Sequence, residues 1–574
     1  MTTEREGRVP VRTGGADRAV RGQGMDKIGN RVVDHIVGYL AAAGVEYIFG
    51  VDGANIEDVY DAAHYRDDIT AVLAKHEFSA TTMADGYSRG GCGLGVVAAT
   101  SGGGSLNTVP GLGEALAGRV PVLALIGQPE SALDGLGSFQ DTSGRNGALD
   151  AEALFSAVSV FCRRVLEPRD IVSVLPQAVA AARTGGPAVL LLPKDVQQAV
   201  IDVAGAGSLA QSVGTRLDDP RVLVEALRSA AGPITIVAGE QVARDDARLE
   251  LEQLRATLRA RVAVVPDAKD VAGTPGMGAS AALGVTGVMG HPGAADAVAG
   301  SALCLLVGTR LTATARFGLD LTRVPVLSIG SAAPYVPATH VASGDLRVSL
   351  ALLARELSGD ARQRVPEPVR HTELVPPPHD GPGVRYREAM AVLDAGLPDG
   401  ADVIVDAGNI GASAIHYLPA RRDGRFVVAL GMGGMGYSFG AAIGMAFGRG
   451  RRTVVIAGDG SFLMHGMEIH TALQYGLPVT FVLFDNHAHA MCAVRERLFY
   501  HGAYSYNRFR PSRLGAGLAA MFPGLPAVDV DDAAGLAGAL RAALEVNGPS
   551  VVSVECSPDE IPPFAGFLRA AENA

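Results

Sequence analysis

Thr453-Val-Val-Ile-Ala-Gly-Asp-Gly-Ser461 reads as a short buried strand running into a glycine-flanked turn that carries one acid, Asp459. A continuous apolar run without alternation suits a strand covered on both faces, as in a parallel sheet. The next such run, Val479-Thr-Phe-Val-Leu-Phe484, ends in Asp485-Asn486. Two strand ends with a helix between them belong to an open α/β sheet, where ligands sit beyond the carboxyl ends of the strands. Gly458 and Gly460 permit a tight turn and a close approach of backbone N–H groups to phosphate oxygens, and Ser461 adds a donor. A hard cation such as Mg²⁺ takes oxygen ligands, with phosphate and water completing its octahedron. Asp459 and Asn486 can supply two side-chain oxygens and the Ala488 carbonyl a third. Alone, Gly-Asp-Gly is also an ordinary turn; the flanking strands and the intervening helix argue for the site.

Outward from this stretch the alternation of apolar runs with Ala-rich helical segments fills the chain. Tyr47-Ile-Phe-Gly50, Gly95-Val-Val-Ala-Ala-Thr100, Val120-Pro-Val-Leu-Ala-Leu-Ile126 and Pro187-Ala-Val-Leu-Leu-Leu-Pro193 mark a first segment. Ile234-Thr-Ile-Val-Ala-Gly239, Arg261-Val-Ala-Val-Val-Pro266, Ala302-Leu-Cys-Leu-Leu-Val-Gly308 and Pro325-Val-Leu-Ser-Ile-Gly330 mark a second. Asp402-Val-Ile-Val-Asp406, Phe426-Val-Val-Ala-Leu430 and Ser550-Val-Val-Ser-Val554 join the two runs above in a third. The pattern predicts an α/β protein of three doubly wound parallel-sheet domains, over 26–195, 205–360 and 385–574. A Pro- and charge-rich linker over 361–384 and a disordered leader over 1–25 complete the division.

Composition agrees with buried globular layers: 574 residues, 48% hydrophobic and only 19% charged, are too many for one core. The 73 glycines follow no period, which excludes collagen-like and solenoid readings. A net charge of −11 argues against non-specific nucleic-acid binding. Five cysteines without paired spacing suit a reduced, cytoplasmic protein better than a disulfide framework. No apolar run is long enough to span a bilayer, so no membrane partner is expected. The leader is polar and lacks the apolar stretch of a signal peptide.

Upstream, Lys75-His-Glu77 precedes a small-residue helical stretch from Ser79 to Gly90. A lone Glu there also suits a solvated helix N-terminus, where carboxylates are favoured. Together with Gly458–Ser461 and Asp485-Asn486, it resembles the thiamine-diphosphate enzymes, whose signature pairs Gly-Asp-Gly with a later Asn-Asn. Asp485 replaces the first Asn of that signature; Asn486 keeps the second, metal-ligating position. The resemblance gives Glu77 the role of the glutamate that hydrogen-bonds N1′ of the aminopyrimidine. Gly431-Met-Gly-Gly-Met-Gly-Tyr437 resembles the segment whose apolar wedge, here Met435, folds the cofactor so that its amino group nears C2. Gly408 and Asn409 align with a second diphosphate loop, in which Asn409-Ile410 replaces the usual Gln-His. Implied cofactor contacts are Glu77, Gly408, Asn409, Gly433, Met435, Gly458, Asp459, Gly460, Ser461, Asn486 and Met491.

Further segments resemble the acetolactate synthase branch. These are Thr100-Ser-Gly-Gly-Gly-Ser-Leu-Asn107, Ser138-Phe-Gln-Asp141, Leu192-Pro-Lys-Asp-Val-Gln197 and Gly284-Val-Thr-Gly-Val-Met-Gly290. Gly308-Thr-Arg310 resembles a segment near a structural FAD in flavin-containing members. The implied activity is a decarboxylating carboligase. It would form an acyl-anion equivalent from pyruvate or a similar 2-oxo acid and add it to a second carbonyl. Glu77, Phe139 and Gln140 would serve catalysis. The alternatives are a decarboxylase that releases aldehyde and a non-catalytic cofactor-binding homologue. Departures gather on the acceptor side. Arg495 replaces the Trp that shapes the usual pocket, Asp52 and Asn55 add polarity, and Gly53, His487 and His489 complete the expected substrate pocket. A fixed guanidinium offers fork-shaped donors in place of an apolar wall, which suits a larger polar or anionic ketone, such as a keto-sugar. The resemblance also implies a homodimer or homotetramer with active sites at the subunit interface.

Overall fold

The computed structural model describes residues 30–202, 216–272, 282–359, 372–503 and 505–572. The expected leader and the first part of the linker, through 371, lie outside the described residues. Among the described residues, three sheets of six strands each form the frame, and every strand pairing within them is parallel. The first sheet contains β1 (Tyr47–Val51), β2 (Thr70–Leu73), β3 (Gly95–Ala99), β4 (Val122–Gln128), β5 (Phe161–Arg164) and β6 (Pro187–Pro193), in the order β2-β1-β3-β4-β6-β5. The second contains β7 (Ile234–Ala238), β8 (Arg261–Val264), β9 (Ala282–Val285), β10 (Leu303–Val307), β11 (Val326–Gly330) and β12 (Thr339–Ala342), in the order β12-β11-β10-β7-β8-β9. The third contains β13 (Asp402–Val405), β14 (Phe426–Val428), β15 (Thr453–Gly458), β16 (Val479–Asp485), β17 (Ala527–Val530) and β18 (Ser550–Glu555). Its order, β14-β13-β15-β16-β18-β17, repeats that of the first sheet. The three doubly wound parallel-sheet layers expected from the sequence are therefore present. The apolar runs are explained by burial on both faces: every residue of β4, β6, β10 and β16 is buried.

The first and third domains meet through topologically equivalent helices. Glu77–Arg89 follows β2 and Tyr437–Arg449 follows β14. Their contact is close because one face is stripped to glycine. A Cβ on Gly444 would lie 1.9 Å from the Met83 carbonyl oxygen, and one on Gly86 would lie 2.2 Å from that of Ala441. Gly440 meets Ser79 and Thr82, and Gly448 meets Cys92. Within this dry contact the Tyr437 hydroxyl donates to Asp85, which also pairs with Arg89 at 2.7 Å.

The middle domain joins at a cluster of buried charge. Arg425, at the start of β14, pairs with Asp270 and Glu240 of the middle domain and donates to the Arg89 carbonyl of the first. Lys269 of the middle domain reaches the last turn of the helix Asn409–Tyr417. Its ammonium donates to the carbonyls of Ala414, Ile415 and Leu418 at the helix end, where Ala414 also accepts the Leu418 N–H. All five cysteines are free, and no helix among the described residues is long and apolar enough to cross a membrane.

Candidate active site

Asp459, expected in a turn, begins the helix Asp459–His465 directly after β15, at the carboxyl edge of the third sheet between the ends of β15 and β16. Asp459 is 2% exposed. Its carboxylate accepts the Gly460 N–H at 2.9 Å and the Ala488 N–H at 3.2 Å. Burial and, next, the Asp485 carboxylate push its carboxyl up to about 7. Gly460 is required here by space. A side chain would come within 2.5 Å of His489 Nδ1 and 3.3 Å of Met435 Cε, so the wedge candidate lies close beside this segment. Ser461 donates its hydroxyl to Asp406 at 2.6 Å. Asp406, which follows β13, also accepts from the N–H groups of Gly436 and Ser438 and from the Ser438 hydroxyl. Sequence reasoning passed over Asp406 as a strand end; its position after an apolar run was the available signal. Gly408 begins the neighbouring loop at φ +108° with open space where a Cβ would be. Asn409 is turned inward, its amide towards the Glu560 carbonyl at 3.4 Å and its buried Oδ1 without a partner. Asn486 is buried, and its carboxamide oxygen accepts the Ala488 N–H at 3.1 Å. Met491 is half-buried and packs on Val494, Ile561 and Phe567.

A second group forms at the carboxyl edge of the first sheet. Glu77 begins its helix, capped by His76 Nδ1, which accepts the Phe78 N–H. Asn107 donates to Glu77 Oε2 at 2.9 Å, while Gly104 keeps the space beside Oε1 clear: a Cβ there would lie 2.9 Å from that oxygen. A nearly buried carboxylate with one oxygen engaged and an uncrowded second oxygen fits a pyrimidine nitrogen. The Thr100–Gly104 turn gathers the other candidates. Asn55 bonds to Thr100 and Ser101, Ser101 donates to Gln140 Oε1 at 3.2 Å, and Gly53 lies against Thr100. Gln140 is held at φ +62° beside Gly102. Asp52, Arg495 and Phe139 are exposed, Phe139 to 79%.

Two further carboxylates went unnoticed in the sequence because they lie in no motif, Glu114 within the helix Gly103–Gly118 and Glu468 at the turn just before the helix Ile469–Tyr475. Glu114 of the first domain accepts the N–H groups of Gly431, Met432 and Gly433, immediately before Met435. Glu468 of the third accepts those of Lys75 and His76, immediately before Glu77. Each domain thus holds the functional loop of the other by a buried acid. His465 lies between them, against Phe78 and His76, and burial and then His76 push its imidazole down to about 4.

Family profiles for the thiamine pyrophosphate enzyme match three stretches: its N-terminal TPP binding domain at residues 30–148, its central domain at 221–332 and its C-terminal TPP binding domain at 406–554. The chain belongs to the thiamine pyrophosphate enzymes. Glu77 lies in the first matched stretch of this thiamine pyrophosphate enzyme, and Asp459 with Asn486 in the third. Acetolactate synthase from Arthrospira platensis is 29% identical over 92% of this chain and 94% of its own length. The isozyme 2 large subunit of acetolactate synthase from Escherichia coli is 28% identical over 82% and 85%. A crystal structure from Mycobacterium smegmatis, described as that of a thiamin diphosphate-dependent enzyme, shares the fold: TM-score 0.78, 23% identity, covering 92% of this chain and all of that one. The chain is a thiamine-diphosphate-dependent enzyme, acetolactate synthase-like in sequence.

Proposed function

We propose that this enzyme is a decarboxylating carboligase: it splits CO₂ from pyruvate or a similar short 2-oxo acid and joins the remaining acyl unit to a second carbonyl. The main support is the presence on one chain of Glu77, nearly buried with Gly104 clearing its Oε1, and of Asp459 with Met435 close beside its segment. Relatives named acetolactate synthases, aligned over most of the chain, favour ligation over aldehyde release. Thiamine diphosphate, when bound, supplies the electron sink for decarboxylation. Glu77 would hold the pyrimidine ring, the Asp459 segment would hold the diphosphate with its divalent cation, and Gln140, bonded to Ser101, would position the reacting oxygen. The exposed apolar side chains Met432, Leu463 and Met464, which neighbour the Met435 loop and the Asp459 helix, suit burial against a second copy. We assign the acceptor to the polar ketones, because Arg495 replaces an apolar wall. Structural FAD near Arg310 is part of the same reading; the Arg310 guanidinium is stacked on Tyr335, 4.0 Å from its ring centre.

The test is product analysis with ¹³C-labelled pyruvate, Mg²⁺ and thiamine diphosphate, with and without a panel of ketones. Labelled two-carbon addition to a polar ketone is the expected result. Acetaldehyde as the sole product would favour the decarboxylase reading, and acetolactate from pyruvate alone would remove the special acceptor. Arg495→Trp should move the acceptor ranking towards 2-oxo acids in competition assays.

A further inference from the structure

The helix Asn409–Tyr417 carries the Gly408–Asn409 loop at its start, and its other end is held from outside its own domain. Leu418-Pro419 follows it, and a proline has no N–H with which to close the last turn. The donor comes from the middle domain instead. Lys269 follows β8 after the short turn Pro266–Ala268, and its Nζ donates to the carbonyls of Ala414 at 3.1 Å, Ile415 at 2.5 Å and Leu418. An ammonium has three N–H donors, so all three serve one helix end. The same nitrogen lies 5.1 Å from the ring centre of Phe426, at the start of β14. Asp394, the acid whose charge acts on Lys269, is already paired with Arg421. The positive charge of Lys269 is thus directed mainly at carbonyl dipoles. A second grip lies beside the first. His416 of the same helix donates from Nδ1 to the Met289 carbonyl of the middle domain at 2.9 Å, and its Nε2 accepts the N–H of Leu374, in the linker, at 3.1 Å. Its ring stacks on that of His291, 4.5 Å away at an interplanar angle of 16°. The opposite end of the helix has room for a ligand: Gly408 sits at φ +108°, and a Cβ there would meet nothing within 4 Å. A helix this short, ~13 Å long, is stiff, so holding one end fixes the direction of the other. A cation at its C-terminus also offsets the negative end of the helix dipole, which leaves the positive end less opposed where it faces a diphosphate.

We infer that Lys269 is a positioning residue for the cofactor. From the middle domain it holds the helix Asn409–Tyr417 in the direction that presents Gly408 and Asn409 to the diphosphate, so a domain outside the two TPP binding domains sets cofactor affinity. The inference concerns thiamine diphosphate binding and is independent of which carbonyl is the acceptor. The test is calorimetric titration of the full-length protein, freed of cofactor and metal, with thiamine diphosphate in excess Mg²⁺. Lys269→Met keeps the length of the side chain and removes its donors and charge; the dissociation constant should rise roughly tenfold. Lys269→Gln keeps an amide donor, should fall between wild type and Lys269→Met, and guards against a folding defect in the first variant. CO₂ release from the donor acid at saturating cofactor should stay within about twofold of wild type, because Lys269 touches no reacting atom and the loss lies in cofactor affinity. Leu254→Ala, a core deletion at a fully buried position of the middle domain, is the control: it should lower the unfolding temperature and leave the dissociation constant unchanged. Equal affinity in wild type and Lys269→Met would overturn the inference. So would an equal loss in Leu254→Ala, which would make the effect a general loosening of the middle domain. If no 2-oxo acid is turned over, the proposed function falls, and the cofactor titration still decides the role of Lys269.

Discussion

At the scale of single residues, the decisive groups are carboxylates whose partners are backbone N–H groups or unlike side chains. Glu77 is fixed on one oxygen by Asn107 and left uncrowded on the other. Glu77→Gln keeps the shape and removes the acceptor charge. Turnover should fall by roughly 100-fold or more while thiamine diphosphate still binds, measured by steady-state kinetics and calorimetry. Glu560 caps the helix Tyr386–Gly396 from a distance, accepting the Tyr386 N–H at 3.0 Å. Burial pushes its carboxyl up to about 7 from an ordinary 4.5. A raised carboxyl binds its proton more tightly folded than unfolded, so its contribution is full below pH 4.5 and is lost as pH rises through 7. Glu560→Gln should therefore raise the unfolding temperature at pH 8 and leave it unchanged at pH 4.5. The ceiling is roughly 3 kcal/mol at about 1.4 kcal/mol per pH unit. The Asp459 turn, Asp485, Asn486 and Glu77 were legible in the sequence because they end strands or start helices. Asp406, Glu114 and Glu468 were not, because their meaning comes from loops more than 25 residues away.

At the scale of elements, the apolar runs that revealed the fold are mostly interior strands. Of the six edge strands, β2, β5, β9, β12 and β17 were not among those runs, and only β14 was. Phe161-Cys-Arg-Arg164 and Thr339-His-Val-Ala342 are partly exposed, so one-sided burial leaves them mixed in polarity. The helix Glu77–Arg89 was legible as a small-residue stretch, but its pairing with Tyr437–Arg449 was not: the glycines looked like general richness, whereas they form one contact face. Gly444→Ala would set a methyl group 1.9 Å from the Met83 carbonyl oxygen, and backbone packed on both sides cannot yield. The cost should be about 3 kcal/mol, read as a lowered midpoint in urea. Gly517→Ala, where a Cβ meets nothing within 4 Å, is the control.

At the scale of the whole molecule, three domains are tied by Arg425, whose side chain is 5% exposed and meets acids of the middle domain and a carbonyl of the first. Removing one partner of a buried pair costs about 3–5 kcal/mol because the remaining charges stay buried. Arg425→Ala should lower the unfolding temperature and split the calorimetric transition, with the middle domain melting separately; a single unshifted transition would show that the junction does not couple the domains. The contact between the first and third domains has a consequence for heredity. Any single-base change that replaces the glycine of a glycine codon adds at least a Cβ, and at Gly86, Gly440 and Gly444 that atom meets the facing backbone. These positions therefore have no tolerated first step, and drift along the stripe would need the opposing helix to move beforehand. A family tree of such chains should show those codons changing only silently, although none of the three residues takes part in the chemistry.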